Sequence, residues 1–291
     1  MKRVLKYCSL LLLLSPMYSY AQGTITDGSV SATVNSFSAN GISMSTSGIG
    51  GGDQLFETGF WFRYEQDTQE NPVHATTPDS QSYIGDQATL TWNDVGGFSA
   101  EIYMEIMEGA VGQAQIISRL VLTSLNGAGS VDVFYYSDPD MDGSVGGDSA
   151  YLFQDETVDA VIISDQTCMG VFAASTNSDP FTTRTADAFQ VTPWPLIRNE
   201  LNDAGVTDLD NSGLPIGPAD VTVAFQMSGD TPSATQAWYG AMIFWSRFDP
   251  ELPDCEAVSE PLPVPGPGPI PLALLAMLML GGAWHFRGRF V

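Results

Sequence analysis

Asp138-Pro139-Asp140-Met141-Asp142-Gly143 places carboxylates at alternating positions ahead of a glycine. Hard oxygen ligands in that order match the first half of an EF-hand-type calcium loop, in which the glycine permits the sharp turn that points the oxygens inward. The second half departs from the pattern, because Ser149 stands where the closing glutamate belongs and Asp148 falls one residue early. Two readings follow: a non-standard calcium site of Asp138, Asp140, Asp142 and Asp148, or an Asp-rich hairpin turn. A weaker run, Asp208-Leu209-Asp210-Asn211-Ser212-Gly213, reads as a polar turn whose side chains bond their own backbone.

A second group lies in Phe60-Trp61-Phe62-Arg63-Tyr64-Glu65. In an extended strand, Phe60, Phe62 and Tyr64 share one face and Trp61, Arg63 and Glu65 the other. The first set reads as core. The second predicts either a sugar-stacking platform or an ion pair beneath a packed tryptophan. Glu101 and Glu105 share a strand face, but four residues separate them by roughly 13 Å along the backbone. Paired glycosidase carboxylates need about 5 to 9.5 Å. His74 sits in the polar segment 71–82, where a solvated loop histidine is the plain expectation and no nucleophile motif supports a Ser-His-Asp site. With His and Cys numbering 2 and 3, a zinc site of several such ligands is excluded.

The elements that must hold these residues are strands. From Gly23 to Arg247 the chain alternates short apolar or period-two runs with Gly, Asn, Asp and Pro, the signature of an antiparallel all-β domain. Strands are predicted at 29–34, 60–65, 88–92, 98–107, 115–123, 131–136, 159–163, 169–173, 221–226 and 238–245. So many short strands must stack to hide their faces, which predicts a β-sandwich. One short helix is expected after Thr192, with Pro193 and Pro195 in the first turn, Leu196, Ile197 and Leu201 as its apolar contacts and Gly205 as its stop.

The two ends read as addresses. Residues 1–21 form a signal peptide: Lys2, Arg3 and Lys6 precede the apolar run Leu10 to Leu14, and Ser19-Tyr20-Ala21 offers a small-x-small cleavage site. The acidic body spans 22–249, a proline-rich linker 250–271, and a transmembrane or sorting segment 272–291. Between 272 and 286 the chain is apolar, and Arg287 and Arg289 should stay on the cytoplasmic side.

Net charge sharpens the picture. The formal charge is −24, and all 34 acids lie between Asp27 and Glu260, where Arg63, Arg119, Arg184, Arg198 and Arg247 are the only bases. Such a surface repels nucleic acid, whose phosphates demand Lys and Arg, and it attracts divalent cations. Export places Cys168 and Cys255 in an oxidising compartment, which predicts a disulfide between them or two unpaired thiols.

Pro261-Leu-Pro-Val-Pro265, the apolar segment and the terminal arginines resemble the C-terminal sorting tails of the PEP-CTERM type, with Val264 where that signature has glutamate. The resemblance implies a Gram-negative cell envelope and an exosortase-like processing protease as partner. An ordinary single-span anchor through 272–286 fits the same residues. Across the body, Asp53-Gln-Leu-Phe56, Trp61-Phe-Arg63-Tyr-Glu65, Tyr135-Tyr136, Gly146-Gly-Asp148-Ser-Ala150, Asn211-Ser-Gly213 and Gly217 to Gln226 resemble a group of bacterial exported proteins that carry such tails. That group implies an all-β body and adds no catalytic residues. The functional expectation is an exported, non-catalytic envelope or extracellular-matrix protein, displayed or released through its tail, with calcium as the one conceivable cofactor and exopolysaccharide as a matrix partner. The competing expectation is a secreted carbohydrate-binding protein or carbohydrate-active enzyme using Trp61, Arg63 and Glu65.

Overall fold

The computed structural model describes residues 23–49, 53–109, 113–125, 127–143, 146–154, 159–165, 168–181, 186–231 and 237–246. The expected signal peptide at 1–21, the linker 250–271, the segment 272–291 and Cys255 lie outside the described residues, as does the side chain of Asp142. Among the described residues, no helix is long and apolar enough to cross a membrane.

Strands account for nearly all of the regular structure. In chain order they are β1 (Gly23–Asp27), β2 (Val30–Ser38), β3 (Gly41–Ser47), β4 (Glu57–Tyr64), β5 (Asn71–Pro72), β6 (Ser80–Ile84), β7 (Gln87–Val95), β8 (Phe98–Glu108) and β9 (Gln113–Ser124). There follow β10 (Gly129–Asp138), β11 (Asp148–Gln154), β12 (Asp159–Ser164), β13 (Cys168–Ser175), β14 (Ala188–Pro193), β15 (Ile216–Ala219), β16 (Val221–Thr231) and β17 (Trp238–Ser246). One helix, α1, spans Leu196–Glu200.

The strands form two sheets in which every strand pairing is antiparallel. One runs β1-β2-β3-β4-β10-β16-β14, with β5 on β4; the other runs β15-β11-β12-β13-β17-β9-β8-β7-β6. The expected all-β sandwich with one short helix is what the chain adopts. Its core is one continuous apolar cluster drawing Ile25, Phe60, Phe62, Val133 and Phe225 from the first sheet and Leu90, Ile102, Leu120, Phe172 and Met242 from the second. Each large apolar side chain removed from water contributes about 1.5–3 kcal/mol, so the alternating pattern of these strands supplies the drive to stack.

The first sheet buries its other face as well. Strand register sets Arg63 of β4 opposite Asp132 of β10, Trp61 opposite Phe134, Gly59 opposite Tyr136 and Glu57 opposite Asp138. On β16, Gln226 faces Phe134 and Ala224 faces Tyr136. Residues 194–213, which include α1, lie over this outer face. Ile197, Leu201 and Leu209 pack there on Trp61, Phe134, Tyr136 and Ala224 as a second, smaller core.

Helix α1 starts later than expected: Pro195 is its N-cap and Pro193 is the last residue of β14, although the Ile197 amide still donates to the Thr192 hydroxyl at 3.2 Å. It is only five residues long, and Leu196, expected among its apolar contacts, is 51% exposed. A helix this short presents one narrow face, and Ile197 with Leu201 four positions later fills it.

Candidate functional site

Trp61 is fully buried. Its indole Nε1 donates to Asn202 Oδ1 at 3.0 Å, and the rings of His74 and Tyr136 lie edge-on at 4.5 and 5.6 Å. No ring face is left for a sugar, so the expected Trp61, Arg63, Glu65 platform does not form. The alternative, an ion pair beneath a packed tryptophan, does. The covering segment 194–213 is the physical cause, and its sparse apolar residues gave little warning in the sequence.

Arg63 is the hub of that ion pair. Its guanidinium donates to Glu70 Oε1 at 3.1 Å, the Thr207 carbonyl at 2.7 Å, and Asp132 and Asp208 at 2.6 Å each. It also lies over the Phe134 ring at 5.6 Å. The Arg63 hydrogen bond holds the Asp208 carboxyl below its ordinary range. Burial outweighs Arg63 at Glu70 and pushes that carboxyl up. Glu65 sits exposed in the turn after β4, beside a shallow depression of 310 Å³ lined by Arg63, Asp67, Asp132 and Val206.

The run at 208–213 does not bond its own backbone as expected: Asp208 accepts from Arg63, and Ser212 forms an isolated bridge with Gln190. Asn211 takes a left-handed φ of 58° and its Oδ1 accepts the Phe189 amide at 3.1 Å.

His74 departs from the sequence reading, since it is fully buried. Its Nδ1 lies 2.8 Å from the Ser38 carbonyl, which can only accept, so Nδ1 carries the proton. Burial lowers the ring to about 4 and keeps it neutral. Nε2 has no hydrogen-bond partner, so no Ser-His-Asp relay exists here. The ring rests on Gly59, where a Cβ would meet Nε2 at 2.2 Å; only glycine leaves room. On β8, Glu101 pairs with Arg119 at 3.4 Å and Glu105 is buried.

The acidic end of this face is the most unusual part of the molecule. Asp138, at the last position of β10, is 2% exposed, and its Oδ1 has no hydrogen-bond partner. Burial first, then the charges of Asp220, Asp140 and Glu57, push its carboxyl up to about 9. Burial, then Asp220 and Asp53, push Asp140 up to about 6. Opposite Asp138 on β4, Glu57 pairs with Arg198 of α1 at 3.1 Å, and Arg198 in turn lies 5.0 Å from the ring centre of half-exposed Trp194.

Gly143 makes the turn that the sequence assigned to it, with φ at +76° and its amide donating to the Asp140 carbonyl at 2.9 Å. Asp148 is fully buried at the start of β11, opposite Ala219. The structure therefore places Asp138 and Asp140 beside Asp220, a residue the sequence reading passed over. Glu57 and Arg198 were missed for the same reason: only strand register and the path of the covering segment bring them here. Among the described residues, no three His, Cys, Asp or Glu side chains converge closely enough to enclose a metal as they stand.

Several other buried polar atoms of this face lack partners: Glu70 Oε2, Tyr136 Oη, Arg198 Nε and Asn202 Nδ2. Cys168 is buried on β13, and the expected bond to Cys255 falls outside the described residues.

No protein-family profile and no curated protein matches the sequence. Among solved structures, the chain is similar to a bacterial glucoamylase complexed with acarbose, at a TM-score of 0.53 and 10% identity over 78% of this chain. The likeness covers 32% of the glucoamylase, so this chain spans about a third of that enzyme's length. At that identity the likeness is one of fold. A lysyl oxidase of Pichia pastoris aligns at a TM-score of 0.32 with 10% identity, covering 82% of this chain and 57% of the oxidase.

Proposed function

We propose that the protein is an exported cell-envelope or extracellular-matrix component of non-catalytic, structural or adhesive type, displayed or released through its C-terminal tail. The observation that carries this reading is the use the fold makes of its polar groups. Arg63, Glu70, Asp132, Trp61 and Asn202, the side chains best suited to hold a ligand, are spent on joining strands to the covering segment. What remains outward is acidic and keeps the body soluble outside the cell.

The sequence supports the address: a basic, then apolar, start at 1–21, a proline-rich stalk at 250–271, and an apolar segment at 272–286 followed by Arg287 and Arg289. In this reading an exosortase-like protease or a plain membrane anchor decides between release and display. The carbohydrate reading needs an open aromatic face, which Trp61 does not offer.

The test is to fractionate Gram-negative cells expressing the tagged full chain and to measure the mass of its C-terminus. The expected result is the body in the envelope or medium, cut within the tail or held whole in the membrane. Intact chain dissolved in the cytosol would overturn the proposal, and selective binding on a glycan array would favour the carbohydrate reading.

A further inference from the structure

We infer that Asp138, Asp140 and Asp220, with Asp148 next to them, form a calcium site that fastens the end of the β10·β16 pair to the turn entering β11. Three separate stretches of chain supply the groups, so the site differs from a contiguous loop of the EF-hand kind.

The geometry comes from register. The β10·β16 ladder ends with Ser137 opposite Val223. Asp140 lies two residues after the end of β10 and Asp220 one residue before the start of β16, near enough for the Asp220 charge to act on the Asp140 carboxyl. Asp148 lies opposite Ala219 on β15, the residue before Asp220. At Gly146 a Cβ would lie 3.7 Å from the Asp220 amide, so the turn into β11 passes over the same spot. Asp138, two residues before Asp140, feels the charges of both Asp140 and Asp220.

A partnerless oxygen on a buried carboxylate points to a ligand. Asp138 Oδ1 is buried and has no hydrogen-bond partner. Among the described residues, the guanidinium at this end is that of Arg198, already engaged by Glu57 and stacked on Trp194. An uncompensated buried carboxylate is costly, and it either holds its proton or captures a cation.

The donor set is all carboxylate, with no imidazole or thiolate in it, so it selects a hard ion. Calcium suits it better than magnesium. Calcium accepts irregular shells of six to eight oxygens and tolerates waters and carbonyls among them, whereas magnesium demands a near-ideal octahedron. Among the described residues no three of these carboxylates enclose an ion as they stand, so binding must draw the Asp140 turn closer to Asp220. Calcium should therefore stiffen this end of the sandwich as it binds. The inference stands independently of how the C-terminal tail is processed.

The experiment uses the full chain purified in detergent and stripped with a chelator. Calcium chloride is titrated by calorimetry, and Tm is followed with calcium and with chelator, for the wild type, Asp138→Asn, Asp220→Asn and the control Asp210→Asn. The wild type should release or absorb heat and melt higher with calcium. Asp138→Asn and Asp220→Asn should each lose about tenfold or more in affinity, and Asp210→Asn should not.

Asp138→Asn should also melt close to the wild type in chelator, because a neutral amide of the same shape replaces a carboxyl that burial already keeps protonated; lost binding then cannot be mistaken for lost folding. If Asp138→Asn does not fold, Asp220→Asn decides alone. No heat and no Tm shift in the wild type at millimolar calcium, or wild-type affinity in Asp220→Asn, would overturn the assignment.

Discussion

Gly59 and His74 show how one missing atom organises the outer face. The His74 ring sits on the glycine's Cα and is walled by Trp61, so it has nowhere to retreat. Gly59→Ala would place a Cβ 2.2 Å from Nε2, and overpacking of this kind costs about 1–3 kcal/mol. In a double-mutant cycle, His74→Ala should recover a large part of that loss; additive effects would refute the contact. The same burial makes His74 a source of pH dependence. Its ring titrates near 4 in the folded chain against an ordinary 6.5. Below pH 6.5 the unfolded chain takes up a proton that the native ring refuses, so stability falls as pH drops from 6.5 toward 4 and is unaffected above it. Full protonation of the unfolded imidazole costs the native state ~3 kcal/mol. His74→Asn removes this contribution. The difference in unfolding free energy between wild type and variant should therefore slope between pH 6.5 and 4, and a flat difference would count against a buried neutral ring. None of this was visible in the sequence, where His74 stands among polar residues and only the chain's return over β4 buries it.

At the scale of elements, the outer face is held by charge as well as by apolar packing. Arg63 links β4 to Glu70 before β5, to Asp132 on β10, and to Thr207 and Asp208 of the covering segment. Its side chain is 11% exposed and that of Glu70 0%. Arg63→Ala leaves the Glu70 carboxylate buried without its cation, which should cost about 3–5 kcal/mol in denaturant unfolding. Arg119, paired with Glu101 at side-chain exposures of 37% and 43%, is the matched contrast: Arg119→Ala should cost about 1 kcal/mol or less. Equal losses would mean that burial does not set the worth of these pairs. Legibility in the sequence divides along the same line between apolar and polar content. Each of the ten expected strands falls on an observed one, because runs such as Phe98 to Met107 and Val221 to Gln226 carry strong β-branched or aromatic character. Strands β1, β3, β5, β6, β11 and β15 were missed. Gly41–Ser47 holds Ile42 and Met44 among serines and threonine, and Ser80–Ile84 is an exposed edge strand with little apolar content. Strand β14 escaped because Pro193 and Pro195 directed attention to the helix that follows. The aspartates were legible as a group, but their grouping with Asp220 depends on β10 and β16 being neighbours, which no local pattern states.

The whole molecule must fold against its own charge. With 34 acids, 10 Lys and Arg, and a formal charge of −24, repulsion among surface carboxylates opposes compaction. Salt acts on two opposing terms. It screens that repulsion over a Debye length of about 8 Å at physiological ionic strength, and it also weakens attractive ion pairs. The second effect is small here. The Arg63–Glu70 and Arg198–Glu57 pairs are largely buried and little screened, whereas the Arg119–Glu101 pair and the Asp208 end of the Arg63 network are exposed and weak. Repulsion should therefore dominate. Raising sodium chloride from about 0.01 to 0.5 M, with a chelator present to remove divalent ions, should raise Tm, by about 2–4 °C for each kcal/mol of repulsion relieved. A monovalent salt that lowered Tm would mean that the few ion pairs outweigh the acidic surface, and the fold would then depend on its arginines more than on the core between its sheets. Calcium added afterwards, at constant ionic strength, separates specific capture at the β10·β16 end from general screening, because only the former is lost in Asp220→Asn.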